Sequence, residues 1–175
     1  MRNLFFLLIP VVFLTTCTLN PRTGRIDTTS EKMIRKQVIV IAENYLMNQL
    51  KEAKKTVAAD GIITIGDKEK SYIINPAGVH TGIIDDDSNK DAIVSIDSYQ
   101  DQYLVPTYHL ILINTNGKYR LIRVIESDMK IMGIKDRVIT ADIPTRPRSS
   151  PLYHCSECRD TVNYQFTGGH LIRMK

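Results

Sequence analysis

Hydrophobic periodicity changes near Gly61, and this change limits the folds that are open to the chain. Before Gly61, apolar residues recur about every 3.6 positions, which is typical of an amphipathic helix. After it, short apolar runs alternate with clusters of Gly, Asn and Asp, which is typical of strands joined by hairpin turns. With 175 residues, of which 43% are hydrophobic, the chain can fill one core but not two full-sized domains.

The first predicted element is a helix that begins near Ser30 and ends by Gly61. Thr28 and Glu31 have the spacing of a capping box, with Ser30 as a competing cap. The helix carries one mostly apolar stripe, which consists of Ile34, Val38, Ile41, Ala42, Tyr45, Leu46, Gln49, Ala53 and Val57. We expect this stripe to pack on a sheet.

The rest of the chain is expected to form that sheet. The predicted strands cover residues 62–65, 72–74, 92–96, 108–113, 119–125, 138–143, 161–166 and 170–174. Hairpin signals occur at residues 66–70, 114–117 and 167–169, and short connections of this kind join antiparallel strands. The sequence therefore predicts an α+β fold for a single domain over residues 30–175. In this fold, one long N-terminal amphipathic helix packs on a curled antiparallel sheet of hairpins.

The N-terminal segment, MRNLFFLLIPVVFLTTC, has one positive side chain followed by an apolar run. The run over residues 4–14 is too short for a membrane-spanning helix, which needs about 20 residues, and suits a signal peptide. Its end, from Leu14 to Cys17, resembles the lipobox of bacterial lipoprotein signal peptides, with Thr16 where Gly, Ala or Ser is usual. The resemblance implies that residues 1–16 are a signal peptide and that Cys17 becomes the lipidated, palmitate-bearing N-terminus.

The expected location is therefore the bacterial cell envelope, on the periplasmic side of a membrane. Residues 17–29 are interpreted as the lipidated cysteine and a polar, flexible tether. Thr18 follows the cysteine where an inner-membrane retention signal would carry Asp, which favours the outer membrane. Secretion without a lipid, or an uncleaved anchor, is the alternative. The net charge of +4 is too small to indicate nucleic-acid binding. The expected partners are the membrane and an unidentified envelope protein or ligand.

Residues 82–94 contain four aspartates just before an apolar strand. The segment resembles the acidic calcium loops of EF-hand-like and integrin-type repeats. Calcium takes six to eight oxygen ligands, and the resemblance makes Asp85, Asp87 and Asp91 the candidate ligands. Ile83 stands at the first ligand position of the pattern, and Ser88 stands where it has glycine. The alternative is a solvated acidic turn that binds no metal.

Cys155 and Cys158 form a C-x-x-C pair beside a predicted strand. In an oxidising envelope compartment, the expected state of such a pair is a local disulfide. A zinc site that adds His154 and His170 is a second possibility. A thioredoxin-like redox centre is a third, although it would place the pair at a helix N-terminus, and the flanks here resemble strands.

The chain contains no G-x-S-x-G, no H-E-x-x-H and no G-x-x-x-x-G-K motif. We therefore expect a lipid-anchored binding or structural module and not an enzyme. One alternative is a calcium-dependent binding module that uses residues 85–91. The other is an envelope thiol-redox protein that uses Cys155 and Cys158.

Overall fold

A computed structural model describes residues 28–100, 103–151, 153, 155 and 157–175, and these residues form one helix and ten strands. The helix, α1, spans Thr28–Gln49. Six strands form an antiparallel sheet in which neighbours in sequence are neighbours in space: Lys54–Val57 (β1), Ile63–Gly66 (β2), Lys70–Gly82 (β3), Asp91–Gln100 (β4), Tyr103–Thr115 (β5) and Lys118–Ser127 (β6). Four strands form a second antiparallel sheet, again with sequence neighbours side by side: Lys130–Lys135 (β7), Val138–Pro144 (β8), Arg159–Thr167 (β9) and His170–Arg173 (β10).

The predicted α+β class is wrong, because the described residues are mostly β, with 55% in strands and 15% in the helix. Two antiparallel sheets replace the single curled sheet that the hairpin pattern predicted. The physical reason lies in β4 and β5, which carry buried apolar side chains on both faces. One helix covers only one of these faces, so the other face requires a second layer.

The helix is also shorter than predicted. It ends at Gln49, whereas the predicted apolar stripe continued to Val57. Residues Lys54–Val57 pair instead with β2 and are exposed along the edge of the first sheet. All four residues of this edge strand are exposed, so they do not show the alternation of apolar and polar residues that marks a half-buried strand. The helical spacing of Ala53 and Val57 therefore led to a helix being predicted here.

The six-stranded sheet lies between α1 and the four-stranded sheet. On one face, Val38, Ala42 and Leu46 of α1 pack against the buried side chains of β2 to β5. On the other face, Ile93 and Ile111 pack against the second sheet. Successive residues of a strand point to opposite faces, so Ile93 and its neighbours on β4 belong to two different cores.

The two sheets approach each other closely where β3 passes β7. A Cβ atom built at Gly82 would lie 2.7 Å from Cβ of Ile134. Real Cβ atoms do not come this close to another carbon atom, so the spacing between these strands requires glycine at position 82.

Three hairpins close with two-residue turns in which both residues have positive φ: Asn116 and Gly117, Asp136 and Arg137, and Gly168 and Gly169. Turns of this kind are type I′, whose twist matches that of the flanking strands. The first and the third confirm the hairpins predicted at residues 114–117 and 167–169. The second joins β7 to β8 without a glycine, and the sequence did not predict it.

The predicted signal peptide (residues 1–16) and the lipidated Cys17 lie outside the described residues, as does most of the predicted tether. Among the residues that the structure describes, none of the helical segments has both the length and the apolar character needed to cross a bilayer.

Candidate functional site

Asp91, the last of the candidate calcium ligands, is fully buried at the start of β4. Its Oδ2 accepts hydrogen bonds from the backbone N–H groups of Ile84 at 2.8 Å and Asp85 at 3.4 Å. Its Oδ1 accepts one from the backbone N–H of Asn114 at 2.9 Å. Burial raises the pKa of Asp91, while these backbone donors act in the opposite direction. The side chain thus ties the acidic loop, residues 83–90, to the end of β5.

The other aspartates of the acidic loop also have partners within the protein. Asp85 accepts a hydrogen bond from the backbone N–H of Asp87 at 3.0 Å. Asp87 accepts two from Asn89, and the side-chain bond is the main reason that the pKa of Asp87 is lowered. Asp86 forms an ion pair with Arg137, which lies in the turn between β7 and β8.

The three candidate ligands therefore do not converge. Within the described residues, no group of three or more His, Cys, Asp and Glu side chains is placed to hold a metal ion. Asp91 points into the protein, toward the backbone of the loop, whereas Asp87 is exposed. The structure does not assemble the ligand set that the resemblance to calcium loops implied, and it instead uses the carboxylates to fix the loop.

The C-x-x-C pair lies at the end of the loop that connects β8 to β9, residues 145–158, which we call the proline loop. The backbone N–H of Thr145 donates to the carbonyl oxygen of Cys158 at 2.9 Å and closes the neck of this loop. The backbone N–H of Cys158 in turn donates to the carbonyl of Cys155 at 3.1 Å, which forms a tight turn. Both cysteines are half-buried free thiols, so the disulfide stays a prediction.

The two thiols differ in their electrostatic surroundings. A hydrogen bond with the Cys158 thiol lowers the pKa of Cys155, and the backbone N–H groups of Glu157 and Cys158 act in the same direction. The same thiol–thiol hydrogen bond raises the pKa of Cys158. Cys155 therefore loses its proton more readily than Cys158. The resulting thiolate is the nucleophilic form of cysteine. His154, one of the predicted zinc ligands, lies outside the described residues, and His170 is exposed on β10.

Two arginine–aspartate pairs lie at the proline loop, one formed by a residue of the loop and one between the two strands at its base. Arg148 makes a two-pronged ion pair with Asp128, which lies between β6 and β7, and its guanidinium lies 5.9 Å from the ring centroid of Tyr153. This hydrogen bonding lowers the pKa of Asp128. Arg159 donates from Nε to Asp142 at 2.8 Å at the base of the loop. The sequence contained no local signal for these contacts, because each joins residues at least 17 positions apart.

A buried histidine lies between the two sheets. His109 on β5 is 1% exposed, and its Nδ1 is 3.0 Å from Oγ of Ser95 on β4. Burial lowers the pKa of His109 to about 4. Its Nε2 makes no hydrogen bond to a side chain among the described residues, so the Ser95–His109 pair lacks the carboxylate of a catalytic triad.

An open cleft of about 400 Å³ lies between the end of α1 and the turn from β2 to β3. Its walls include Lys51, Lys70 and Asp67. Asp67 accepts hydrogen bonds from the backbone N–H groups of Glu69 and Lys70, both at 2.9 Å, which lowers the pKa of Asp67. The carboxylate therefore shapes the turn, and the cleft has charges of both signs with no selective ligand set.

Comparison of the chain with protein-family models, with curated proteins and with solved structures found no match.

Proposed function

We propose that this protein is a lipid-anchored protein of the bacterial cell envelope whose β-rich domain serves as a non-enzymatic binding module. The observation that carries the proposal is the N-terminal apolar run that ends at Cys17, in a sequence that resembles a lipobox. Two or more acyl chains on one cysteine give stable membrane attachment, which a single chain does not. The absence of Asp after Cys17 favours the outer membrane.

The contacts of the domain support a binding role. The carboxylates of the acidic loop bind backbone or neighbouring side chains, and His109 is paired with Ser95 between the sheets. These polar groups stabilise the framework. The proline loop connects β8 to β9, and its Arg148 is bound to Asp128. Because connecting loops on a stable framework commonly carry binding residues, this loop is the part of the domain that we expect to contact a partner.

Metabolic labelling tests the anchor. The full chain is expressed in a bacterium that is fed an alkyne-bearing palmitate, beside Cys17→Ser and the matched control Cys155→Ser. We expect label and sedimentation with the outer membrane for the wild type and Cys155→Ser, but no label for Cys17→Ser. An unlabelled wild type, or label that survives Cys17→Ser, would overturn the proposal.

The C-x-x-C turn supports a second candidate function, thiol–disulfide exchange. The carrying observation is the asymmetry of the two thiols within one backbone turn. In such an exchange, the Cys155 thiolate attacks a sulfur of the partner's disulfide, and the S–S bond breaks with release of a thiolate that takes a proton from water. The Cys158 thiolate then displaces the second sulfur, which leaves the partner reduced and the Cys155–Cys158 pair oxidised.

Timed alkylation of the reduced protein, read by mass spectrometry, tests this second candidate. We expect Cys155 to react faster than Cys158 near neutral pH, because it has the larger thiolate fraction. In Cys155→Ala, Cys158 has lost its side-chain hydrogen-bond partner and should react faster than it does in the wild type. Equal rates in the wild type, or a pair that no thiol reagent reduces, would exclude the exchange function.

A further inference from the structure

The outward side of α1 carries three exposed apolar residues in one line. Met33, Val40 and Met47 are 60%, 46% and 39% exposed, and they are spaced seven residues apart. Seven residues make almost two helical turns, so the three side chains lie on the same side of the helix. The opposite side buries Val38 and Leu46 against the first sheet, so α1 has apolar residues on both sides.

The exposed charged side chains of α1 are both positive. Among the described side chains of α1, the exposed charged residues are Lys32 and Lys36. The two glutamates are less exposed and are engaged elsewhere: Glu43 pairs with Lys55 at 2.6 Å, and Glu31 pairs with Lys90 at 3.5 Å. We define Met33, Val40, Met47, Lys32 and Lys36 as the outer face of α1.

We propose that the outer face of α1 lies on the anionic lipid surface of the membrane to which the protein is anchored. The inference rests on the proposed lipid anchor. Cys17 and Thr28 are eleven positions apart, so even a fully extended chain places the start of α1 within about 40 Å of the anchored cysteine. The helix is about 33 Å long, and its three exposed apolar residues lie on one side. They can therefore contact the interface together when the helix axis lies parallel to the membrane.

Charge favours a lipid surface over a second copy of the chain as the occupant of this face. Interfacial helices combine apolar side chains with lysines that contact anionic headgroups. In a dimer formed through this face, the lysines of the second copy would lie near those of the first, and the outer face has no exposed acidic side chain to pair with them. Near an anionic surface each lysine strengthens attachment about fivefold, so the pair contributes about 25-fold.

A single-tryptophan experiment tests the proposal, since the chain has no Trp of its own. Val40→Trp is made in the full gene, and the mature lipidated protein is purified and reconstituted into vesicles of phosphatidylglycerol and phosphatidylcholine that carry nitroxide-labelled lipid. Met132→Trp on β7, a position that is 53% exposed, is the matched control. Met33→Trp is a second probe of the outer face. We expect a blue shift and nitroxide quenching for the two α1 probes but not for Met132→Trp.

The dependence of binding on charge is part of the same test. Lys32→Gln/Lys36→Gln in the Val40→Trp background should lower the ratio of membrane-bound to free α1 about 25-fold. Vesicles of phosphatidylcholine alone, which carry no net charge, should lower this ratio for Val40→Trp by a similar factor. Equal quenching of the α1 probes and Met132→Trp would overturn the proposal. A blue shift that grows with protein density and ignores the anionic lipid would also overturn it, in favour of a second copy.

The failure of this proposal is distinguishable from failure of the anchor. If palmitate labels Cys17 but the α1 probes are not quenched, the anchor stands and only the contact of α1 with the membrane is wrong. If palmitate does not label Cys17, both the anchor and this inference fail.

Discussion

Replacement of Asp91 by asparagine tests whether the acidic loop is a structural element or a ligand site. The carboxylate accepts three backbone hydrogen bonds, from Ile84, Asp85 and Asn114. An asparagine amide has one oxygen, and its NH₂ group would face a backbone N–H that also donates. At least one buried N–H therefore loses its acceptor, which costs about 1–3 kcal/mol. Removal of a charge that is costly to bury offsets part of this loss.

The expected net loss for Asp91→Asn is about 2 kcal/mol in the free energy of unfolding. For a protein of this size, that corresponds to a fall in melting temperature of about 4–8 °C. Thermal unfolding of the purified protein, followed by circular dichroism, measures it. Asp87→Asn is the control, since Asp87 is exposed and contacts only its own loop, and it should melt close to the wild type.

Melting temperatures measured with added calcium provide a second test of the acidic loop. Because the three carboxylates do not converge, we expect millimolar calcium to leave the melting temperatures of the wild type and both variants unchanged. A melting temperature for Asp91→Asn equal to that of the wild type would refute the structural role of Asp91. The expectation for calcium would be wrong if calcium raised the melting temperature saturably and Asp87→Asn abolished that rise.

Three further predictions follow from close packing, from a buried histidine and from the proline loop. Gly82→Ala should destabilise the protein by about 1–3 kcal/mol in urea unfolding, whereas Gly133→Ala, whose new methyl group meets no neighbour, should be near neutral. Because the pKa of His109 is about 4 when folded and near 6.5 when unfolded, stability should fall as the pH drops from about 6.5 to 4, by up to about 3 kcal/mol. This prediction would be wrong if the free energy of unfolding of the wild type changed with pH no more than that of His109→Gln. Asp128→Asn should release Arg148 and speed tryptic cleavage after that residue, and unchanged cleavage by mass spectrometry would refute the anchoring role of the pair.

Local sequence patterns determined the elements whose conformation depends on their own residues. The hairpin at Asn116 and Gly117 was predictable because glycine tolerates the positive φ that a type I′ turn requires. The buried side of α1 was predictable from its 3.6-residue period. The lipobox resemblance at Cys17 is also a local pattern, and its consequence is still a prediction.

The sequence missed features that depend on distant partners. The turn at Asp136 and Arg137 has positive φ without glycine, so no composition signal marked the hairpin between β7 and β8. Residues 54–57 form a strand because β2 lies beside them, although their spacing also suits a helix. A local pattern cannot distinguish two conformations when the deciding hydrogen bonds come from another part of the chain.

The sequence alone thus determined the hairpin turns at Asn116–Gly117 and Gly168–Gly169 and the inner stripe of α1, because each depends on a few neighbouring residues. The anchor at Cys17 is a prediction from the same kind of local pattern. Only the tertiary structure decided that β4 and β5 need covers on both faces, which divides the strands into two sheets. It also decided the role of Asp91, whose spacing suggested a metal ligand. The backbone N–H of Asn114, 23 positions away, is one of the donors that make it a structural acceptor.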